Sequence, residues 1–461
     1  PAGAQGRLVF GEELEVINAV KEKAELIGMA YKRFKDGQTT LPDGAGLKKA
    51  KDELTRRLRD LSTTLDEYLA FQYGVDAQKN KQGFQQWKIS HQPFHWWSEF
   101  YEVLYDEEDK FKGFDVVIGN PPYIQNSEIK YSLKNYLTVT CGNLYPIVIE
   151  RSISISNIKN YKGFIVPVSS ISTDGYAPLQ QILVNYDLIH SSYDDRPSRL
   201  FDGLEHIRLT IHLIGKKRQD NDFFSSKYHK WNATEREALF QRIVFVKNDP
   251  KTLNNSFPKT YSTIESIILG KISAEKNKLI SYQRKPNNNV VYFSRKVGYF
   301  LQILNFEPTV LDEFGNKRPP SEFKSLFFEN SDYAKSALCL LNSNLFYWFI
   351  TILSDCRHLN KREIDDFFIN LEKFSKSKKE FISILSKRLM EDFRSNSEQR
   401  KMKFKHAQLH IQCIIPKHSK PIIDEIDTVL AEHYGFTEEE LDFIINYDIK
   451  YRMGRGTGEE E

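Results

Sequence analysis

Apolar residues recur at helical spacing through the start of the chain. Leu14, Ile17, Ala24, Ile27, Tyr31 and Phe34 form one stripe, and beyond Asp36-Gly37 and the Pro42-Asp43-Gly44 loop, Leu54, Leu58, Leu61, Leu65 and Leu69 form another. This spacing predicts an antiparallel helical hairpin over residues 12–72. At Phe114 the period changes. Phe114 to Ile118, bounded by Gly113 and Gly119, is an apolar run that suits a buried strand covered on both faces, as in a parallel sheet. Pro121 and Pro122 cannot continue a ladder, so the strand ends there. A helix over 143–159 and a strand at Gly163–Pro167 then make a βαβ step, Pro178 opens another helix, and Leu188 to Tyr193 makes a strand. Ile207, Leu209, Ile211 and Leu213 alternate with Arg208, Thr210 and His212, which predicts a half-exposed strand near the sheet edge.

The chain turns polar from Lys216 to Asp222 and again in the KTLNNSFPKT stretch after Pro250, so a domain boundary is expected between about 217 and 258. Further on, the most apolar stretch, Ser336 to Ser354, is interrupted by Asn342 and Asn344 and reads as a buried helix, not a membrane span. Thr437 and Glu440 form a capping-box pattern ahead of a closing helix. Four segments result: a helical hairpin and linker at 1–110, half of an α/β domain at 111–250, a second large domain at 251–453, and a disordered Gly- and Glu-rich tail at 454–461.

Composition narrows the choices only slightly. With 461 residues and a formal net charge of +3, the chain is mildly basic, so a DNA-binding surface has to be a local patch. One candidate patch spans 271–296, where Arg284, Lys285, Arg295 and Lys296 are interleaved with Tyr282, Tyr292 and Phe293. Cys141, Cys339, Cys356 and Cys413 are far apart and match no paired-cysteine motif, which fits a reduced cytoplasm. His91 and His95 are four apart, yet Pro93 lies between them and no third ligand is apparent, so no metal is expected. The dense aromatics Trp87, Phe94, Trp96, Trp97, Phe100 and Tyr101 suit core packing at a domain edge better than a stacking platform for bases.

The stretch Asn120-Pro121-Pro122-Tyr123 stands where open α/β sheets bind ligands, beyond the carboxyl end of a strand. An exocyclic amino group on a base is a poor nucleophile, because its lone pair is delocalised into the ring. Two acceptors, the Asn120 side-chain oxygen and the Pro121 carbonyl, can hold both amino hydrogens and favour a tetrahedral nitrogen. Tyr123 can stack on the base, and the Pro-Pro turn fixes the acceptors in advance. The plain alternative is a strand leaving through a proline turn.

These four residues resemble the catalytic motif of class I adenine-specific DNA methyltransferases, which use S-adenosylmethionine. The family's order continues through His91-Gln92-Pro93-Phe94-His95-Trp96 ahead of the motif, and through Gly142-Asn143-Leu144-Tyr145, Gly163–Pro167 and Asp195–Gly215 after it. The resemblance runs from about residue 90 to the C-terminus, and it is strongest to the large methyltransferases of type IIG restriction-modification and phage-exclusion systems. Leu341-Asn342-Ser343-Asn344, Arg357-His358-Leu359-Asn360-Lys361 and Tyr434-Gly435-Phe436-Thr437 are similar to a TaqI-type target-recognition domain. The implied fold is a partial doubly wound, Rossmann-like α/β methyltransferase sheet with an N-terminal helical insertion and a C-terminal α+β target-recognition domain. The implied catalytic residues are Asn120, Pro121, Pro122 and Tyr123, with Tyr123 and Phe201 against a flipped adenine. Arg284, Lys285, Arg295, Lys296, Arg357, Asn360 and Lys361 become the DNA contacts, double-stranded DNA the partner, and a bacterial or archaeal cytoplasm the setting.

One departure is marked. The glycine-rich cofactor loop and the acidic ribose-binding residue that the family places before its motif are not found between Pro1 and Lys110. The chain therefore reads as a fragment whose first half lies elsewhere or on a separate partner chain, and the fragment alone is expected to be inactive. Asp115 with Glu128-Ile129-Lys130 imitates a nuclease carboxylate pattern, but Asp115 already opens the strand. The reading is a site-specific DNA adenine methyltransferase fragment of a restriction-modification or phage-defence system. The alternatives are a non-catalytic DNA-recognition module and a protein-glutamine methyltransferase.

Overall fold

The computed structural model describes residues 12–40, 44–106, 110–133, 135–217, 223–248, 256–404 and 408–454. The predicted tail beyond residue 454 and the first part of the KTLNNSFPKT linker lie outside the described residues. The chain divides into two compact units, one comprising Pro1–Val117, Ile129–Leu133 and Arg151–Asn160, the other comprising Ile118–Glu128, Lys134–Glu150 and Tyr161–Glu461.

Ahead of the first strand, the described part of the first unit is helical: α1 (Glu12–Thr40), α2 (Gly44–Gln72), α3 (Lys81–His91) and the single turns α4 (Trp96–Glu99) and α5 (Tyr101–Leu104). The two stripes read from the sequence meet, with Ile27, Ala30, Leu54 and Leu61 buried in one cluster with Tyr101. The aromatics pack on one another, Trp96 stacked on Phe100 at 5.7 Å and Phe94 edge-on to Trp96 at 5.0 Å. His95 Nε2 lies 2.7 Å from Oδ1 of buried Asp66, whose other oxygen takes Lys88 at 2.6 Å. His95 is thus hydrogen-bonded to the carboxylate that pairs with Lys88, and no group of three His, Cys, Asp or Glu suited to a metal occurs among the described residues.

The main sheet is mixed α/β. Its strands are β1 (Phe114–Gly119), β2 (Ser156–Pro167), β3 (Tyr186–Tyr193), β4 (Leu209–Lys217), β5 (Phe223–His229) and β6 (Val246–Asn248), in the order β1-β2-β4-β3-β5-β6. The helices α6 (Leu144–Ile155), α7 (Ser169–Ser172) and α8 (Ala177–Leu183) connect the first three strands. β4 runs antiparallel to both β2 and β3, so β2 and β3 point the same way.

Three expectations are corrected here. β1 is not covered on both faces: Val116 is 56% and Ile118 81% exposed, because the strand stands at the end of the sheet order. β4 is not an edge strand but lies between β2 and β3, and its polar positions are buried as well as apolar ones, with Thr210 and His212 at 0% exposure, Leu209 at 3% and Leu213 at 48%. Buried His212 is accommodated by a 2.9 Å hydrogen bond between its Nε2 and the Ser170 hydroxyl. The helix expected at 143–159 ends at Ile155, and β2 begins at once, seven residues earlier than the Gly163 start read from the sequence.

The rest of the second unit holds α9 (Thr263–Ser273) and two three-stranded sheets. One is ordered β10-β7-β8 from β7 (Val290–Ser294), β8 (Ile303–Leu304) and β10 (Phe323–Phe327); the other is β11-β12-β9 from β9 (Val310–Asp312), β11 (Ser397–Lys403) and β12 (Gln408–Ile414). Helices α10 (Ser331–Asn342), α11 (Asn344–Leu353), α12 (Lys361–Asp365), α13 (Lys376–Ser395), α14 (Lys420–Tyr434), α15 (Glu438–Ile445) and α16 (Ile449–Arg452) complete it. One continuous core runs through α10, α11, α13 and α14. The single buried helix expected at 336–354 is instead two helices meeting at 64°. Ser343 breaks it by capping α11, its hydroxyl accepting the Phe346 N–H at 3.0 Å, and buried Asp427 takes the Asn344 and Leu345 N–H groups at 3.0 and 2.9 Å. No single described helix is long and apolar enough to cross a membrane.

Candidate functional site

Asn120 follows β1 directly and is exposed, while Pro121 behind it is buried. The loop is held from below by the Gly142-Asn143-Leu144-Tyr145 stretch. The Leu144 N–H donates to the Ile124 carbonyl at 2.9 Å, the Asn126 N–H to the Gly142 carbonyl at 3.0 Å, and the Asn126 side chain to the Val139 carbonyl at 2.8 Å. Gly142 sits at φ 74°, a left-handed conformation that glycine adopts without strain, and so turns its carbonyl to the loop. The turn is therefore held in one conformation by its own hydrogen bonds.

Tyr123 has a role the sequence did not suggest. Its hydroxyl lies 2.6 Å from Asn120 Oδ1 and 2.9 Å from the Ile165 carbonyl of β2. One proton serves two acceptors, so the hydroxyl donates to one at a time and ties the Asn120 amide to the sheet. Burial pushes the phenol up to about 12, so this donor keeps its proton at neutral pH. Asn120 Oδ1 still has a second lone pair with which to accept another hydrogen bond. Behind Tyr123, the buried Tyr145 ring meets it edge-on at 6.2 Å, and the Tyr145 hydroxyl contacts the Ser169 hydroxyl at 3.3 Å.

Tyr123 also packs against a cluster containing Tyr193, Leu200, Leu209, Trp231 and Leu239. Leu200 carries the following Phe201 to this side, where Arg236 holds the loop through the Arg199 and Leu200 carbonyls at 3.0 and 2.7 Å. Phe201 itself is 36% exposed, and among the described residues no ring contact joins it to Tyr123.

The candidate DNA contacts fall in two places. Backbone pairing of Lys296 with His358 brings Arg295, Lys296, Arg357, Asn360 and Lys361 together, although the two segments lie far apart in the chain. Burial, then the adjacent Arg295 charge, holds the His358 imidazole below its usual range. In this group Asn360 is the N-cap of α12, in a capping box with Glu363, and Lys361 pairs with Asp365 at 3.2 Å. Arg284 and Lys285 lie apart, beside the end of β10, where Arg284 pairs with Glu329. Sequence reading missed Arg362, which binds Asp174 at 2.6 Å and the Ser172 carbonyl at 2.6 Å, joining the 357–362 segment to the loop after β2.

Ahead of β1 the described residues form only helices, so they build no strand-turn-helix of the kind that cradles a nucleotide-bearing cofactor.

Residues 47–201, which include the Asn120 loop, match the family model described as "Eco57I restriction-modification methylase". Among curated proteins, the chain is similar to one from Methanocaldococcus jannaschii, named "Putative type II restriction enzyme and methyltransferase RM.MjaORFECS2P". The two are 27% identical over 220 residues, which is 45% of this chain and 17% of that protein.

Proposed function

We propose that this chain supplies the amino-acceptor end of a restriction-modification methyltransferase that modifies the exocyclic amino group of adenine in DNA. The observation that carries the reading is the Asn120-Pro121-Pro122-Tyr123 turn, fixed at the end of β1 with Asn120 tied by Tyr123 to β2, inside the span that matches the methylase family. In this reading the base is extruded from the duplex. Asn120 Oδ1 and the Pro121 carbonyl take the two amino hydrogens, and the nitrogen lone pair turns away from the ring toward the methyl donor. Donors on an exocyclic amine need acceptors of this kind, and nothing in the loop calls for a covalent intermediate. S-adenosylmethionine is the donor that the reading implies, held by residues other than those described ahead of β1.

The paired segments at 295–296 and 357–361 face DNA phosphates and base edges, with double-stranded DNA as the partner and the part beyond about residue 250 choosing the sequence. The test uses the natural protein that carries this sequence, labelled S-adenosylmethionine, and duplex DNA digested afterwards to nucleosides. Label in N6-methyladenine is the expected result. Label in N4-methylcytosine overturns the choice of base, label in glutamine of a protein overturns the DNA substrate, and DNA binding without transfer assigns the chain as a recognition module.

A further inference from the structure

Arg362 follows Lys361 on α12, yet its side chain is turned inward, 22% exposed against 61% for its neighbour. Its Nη1 donates to Asp174 Oδ1 and its Nη2 to the Ser172 carbonyl, each at 2.6 Å. Nη2 and Nε also donate to Glu363 Oε1, at 2.8 and 3.2 Å. One planar fork thus meets three acceptors, the farthest of them 188 positions away in the chain. A lysine ammonium on its flexible stem cannot reproduce that geometry.

What Arg362 grips lies behind the acceptor turn, in the same compact unit. Ser172 ends α7, and Asp174 begins a single 3-10 turn, Asp174–Tyr176, whose Tyr176 ring stacks on Tyr145 at 5.4 Å and 14°. α7 starts at Ser169, whose hydroxyl contacts that of Tyr145. Both ends of the 169–176 loop therefore bear on one fully buried ring, and that ring backs Tyr123, the residue whose hydroxyl reaches Asn120. Close-packed side chains have no slack, so a displaced loop displaces what rests on it. On its other side the clamp is anchored firmly. Glu363 Oε2 accepts the Asn360 N–H at 3.0 Å, and the Leu359 N–H donates to the Arg295 carbonyl at 2.8 Å.

We propose that Arg362 is a positioning residue for methyl transfer. It holds the 172–176 loop so that Tyr176 and Tyr145 keep Tyr123, and with it the Asn120 acceptor, in register, and it acts through these rings without touching the base. The proposal rests on reading the Asn120 turn as the amino acceptor. It adds to the tie from β2 a second one, supplied from beyond residue 250.

The test pairs hydrogen–deuterium exchange of the full chain with steady-state methyl transfer by the natural protein. Arg362→Lys keeps the charge and loses the fork. It is expected to raise exchange about fivefold or more in peptides covering 123–145 and 169–177, and to leave those of α14 unchanged. The turnover number is expected to fall roughly tenfold while KM for DNA stays within about twofold, as for lost alignment and not lost binding. Asp174→Asn, at a half-exposed carboxylate, is expected to act in the same direction, and the double variant to be no slower than Arg362→Lys alone, because the two side chains form one contact. Wild-type exchange at 123–145 overturns the proposal even where 169–177 loosens, since Arg362 then serves only its own loop. Loss of protection that extends to α14 overturns it in favour of a role in the fold, and a raised KM at unchanged turnover overturns it in favour of a DNA contact. A wild-type protein that methylates no adenine defeats the reading of the turn instead, and the exchange arm still decides whether Arg362 positions it.

Discussion

At the scale of single residues, variants of Asn120 and Tyr123 separate the two roles proposed for the turn. Asn120→Ala deletes an acceptor whose value rises as the amine becomes tetrahedral, so methyl transfer by the natural protein should fall about a hundredfold or more while DNA affinity changes little. Unchanged turnover would reduce the motif to a turn. Tyr123→Phe keeps the ring but removes the hydroxyl shared by Asn120 Oδ1 and the Ile165 carbonyl. A hydrogen bond of this kind contributes about 1 kcal/mol net, so the turnover number should drop roughly five- to tenfold. Tyr123→Ala, which also loses stacking, should instead alter the fluorescence of 2-aminopurine placed at the target position; a signal identical to that of Tyr123→Phe would remove the ring from the base pocket. The end of β1 ahead of the Asn120-Pro121-Pro122-Tyr123 turn was legible in the sequence, because two adjacent prolines stop a strand locally. The Ile165 carbonyl was not, since a backbone acceptor 42 residues away leaves no trace in residue type.

At the scale of elements, the most informative junction joins the end of β5 to α16. Lys230, buried, donates to Asp448 Oδ2 at 2.8 Å and to the Tyr347 hydroxyl at 2.7 Å, and Lys227 meets Asp448 Oδ1 at 2.7 Å. Burial alone would raise the Asp448 carboxyl, but the two lysines outweigh it and hold the group down to about 2. Because this folded value is below the unfolded one, Asp448 adds stability above about pH 4 that is lost as pH falls through about 2. Asp448→Asn leaves two lysines facing one neutral amide, and a loss of about 3–5 kcal/mol is expected in urea unfolding at pH 7. The variant's stability should also fall less steeply than that of the wild type between pH 4 and 2. A parallel pH profile would show that Asp448 is not the group titrating there. The alternation in β4 misled for a related reason. Alternation tells the two faces of a strand apart but not how far each is covered, and here the face with Thr210 and His212 is fully buried while the other has Leu209 buried and Leu213 exposed, with Ser170 supplying a partner for His212.

At the scale of the whole molecule, the second unit spans the division near residue 250 expected from the polar stretches, and its packing crosses it. Phe257 N–H donates to the Ile171 carbonyl at 2.7 Å, fully buried Lys259 donates to the Ser354 carbonyl at 2.6 Å, and Lys230 takes its counter-charge from Asp448. A chain ending near residue 256 should therefore lose cooperative unfolding, because Lys230 is left as a buried charge without its carboxylate. Circular dichroism melts would check this, and a truncated chain with the full-length midpoint would establish independent folding. The sequence alone determined the elements whose cause is local: the paired helical stripes, the strand stopped by two prolines and the Thr437–Glu440 capping box of α15. Only the tertiary structure decided which strand faces solvent, where the 336–354 helix breaks and which distant cations come together. Exposure and pairing depend on neighbours brought in from far along the chain, and residue type does not encode their position.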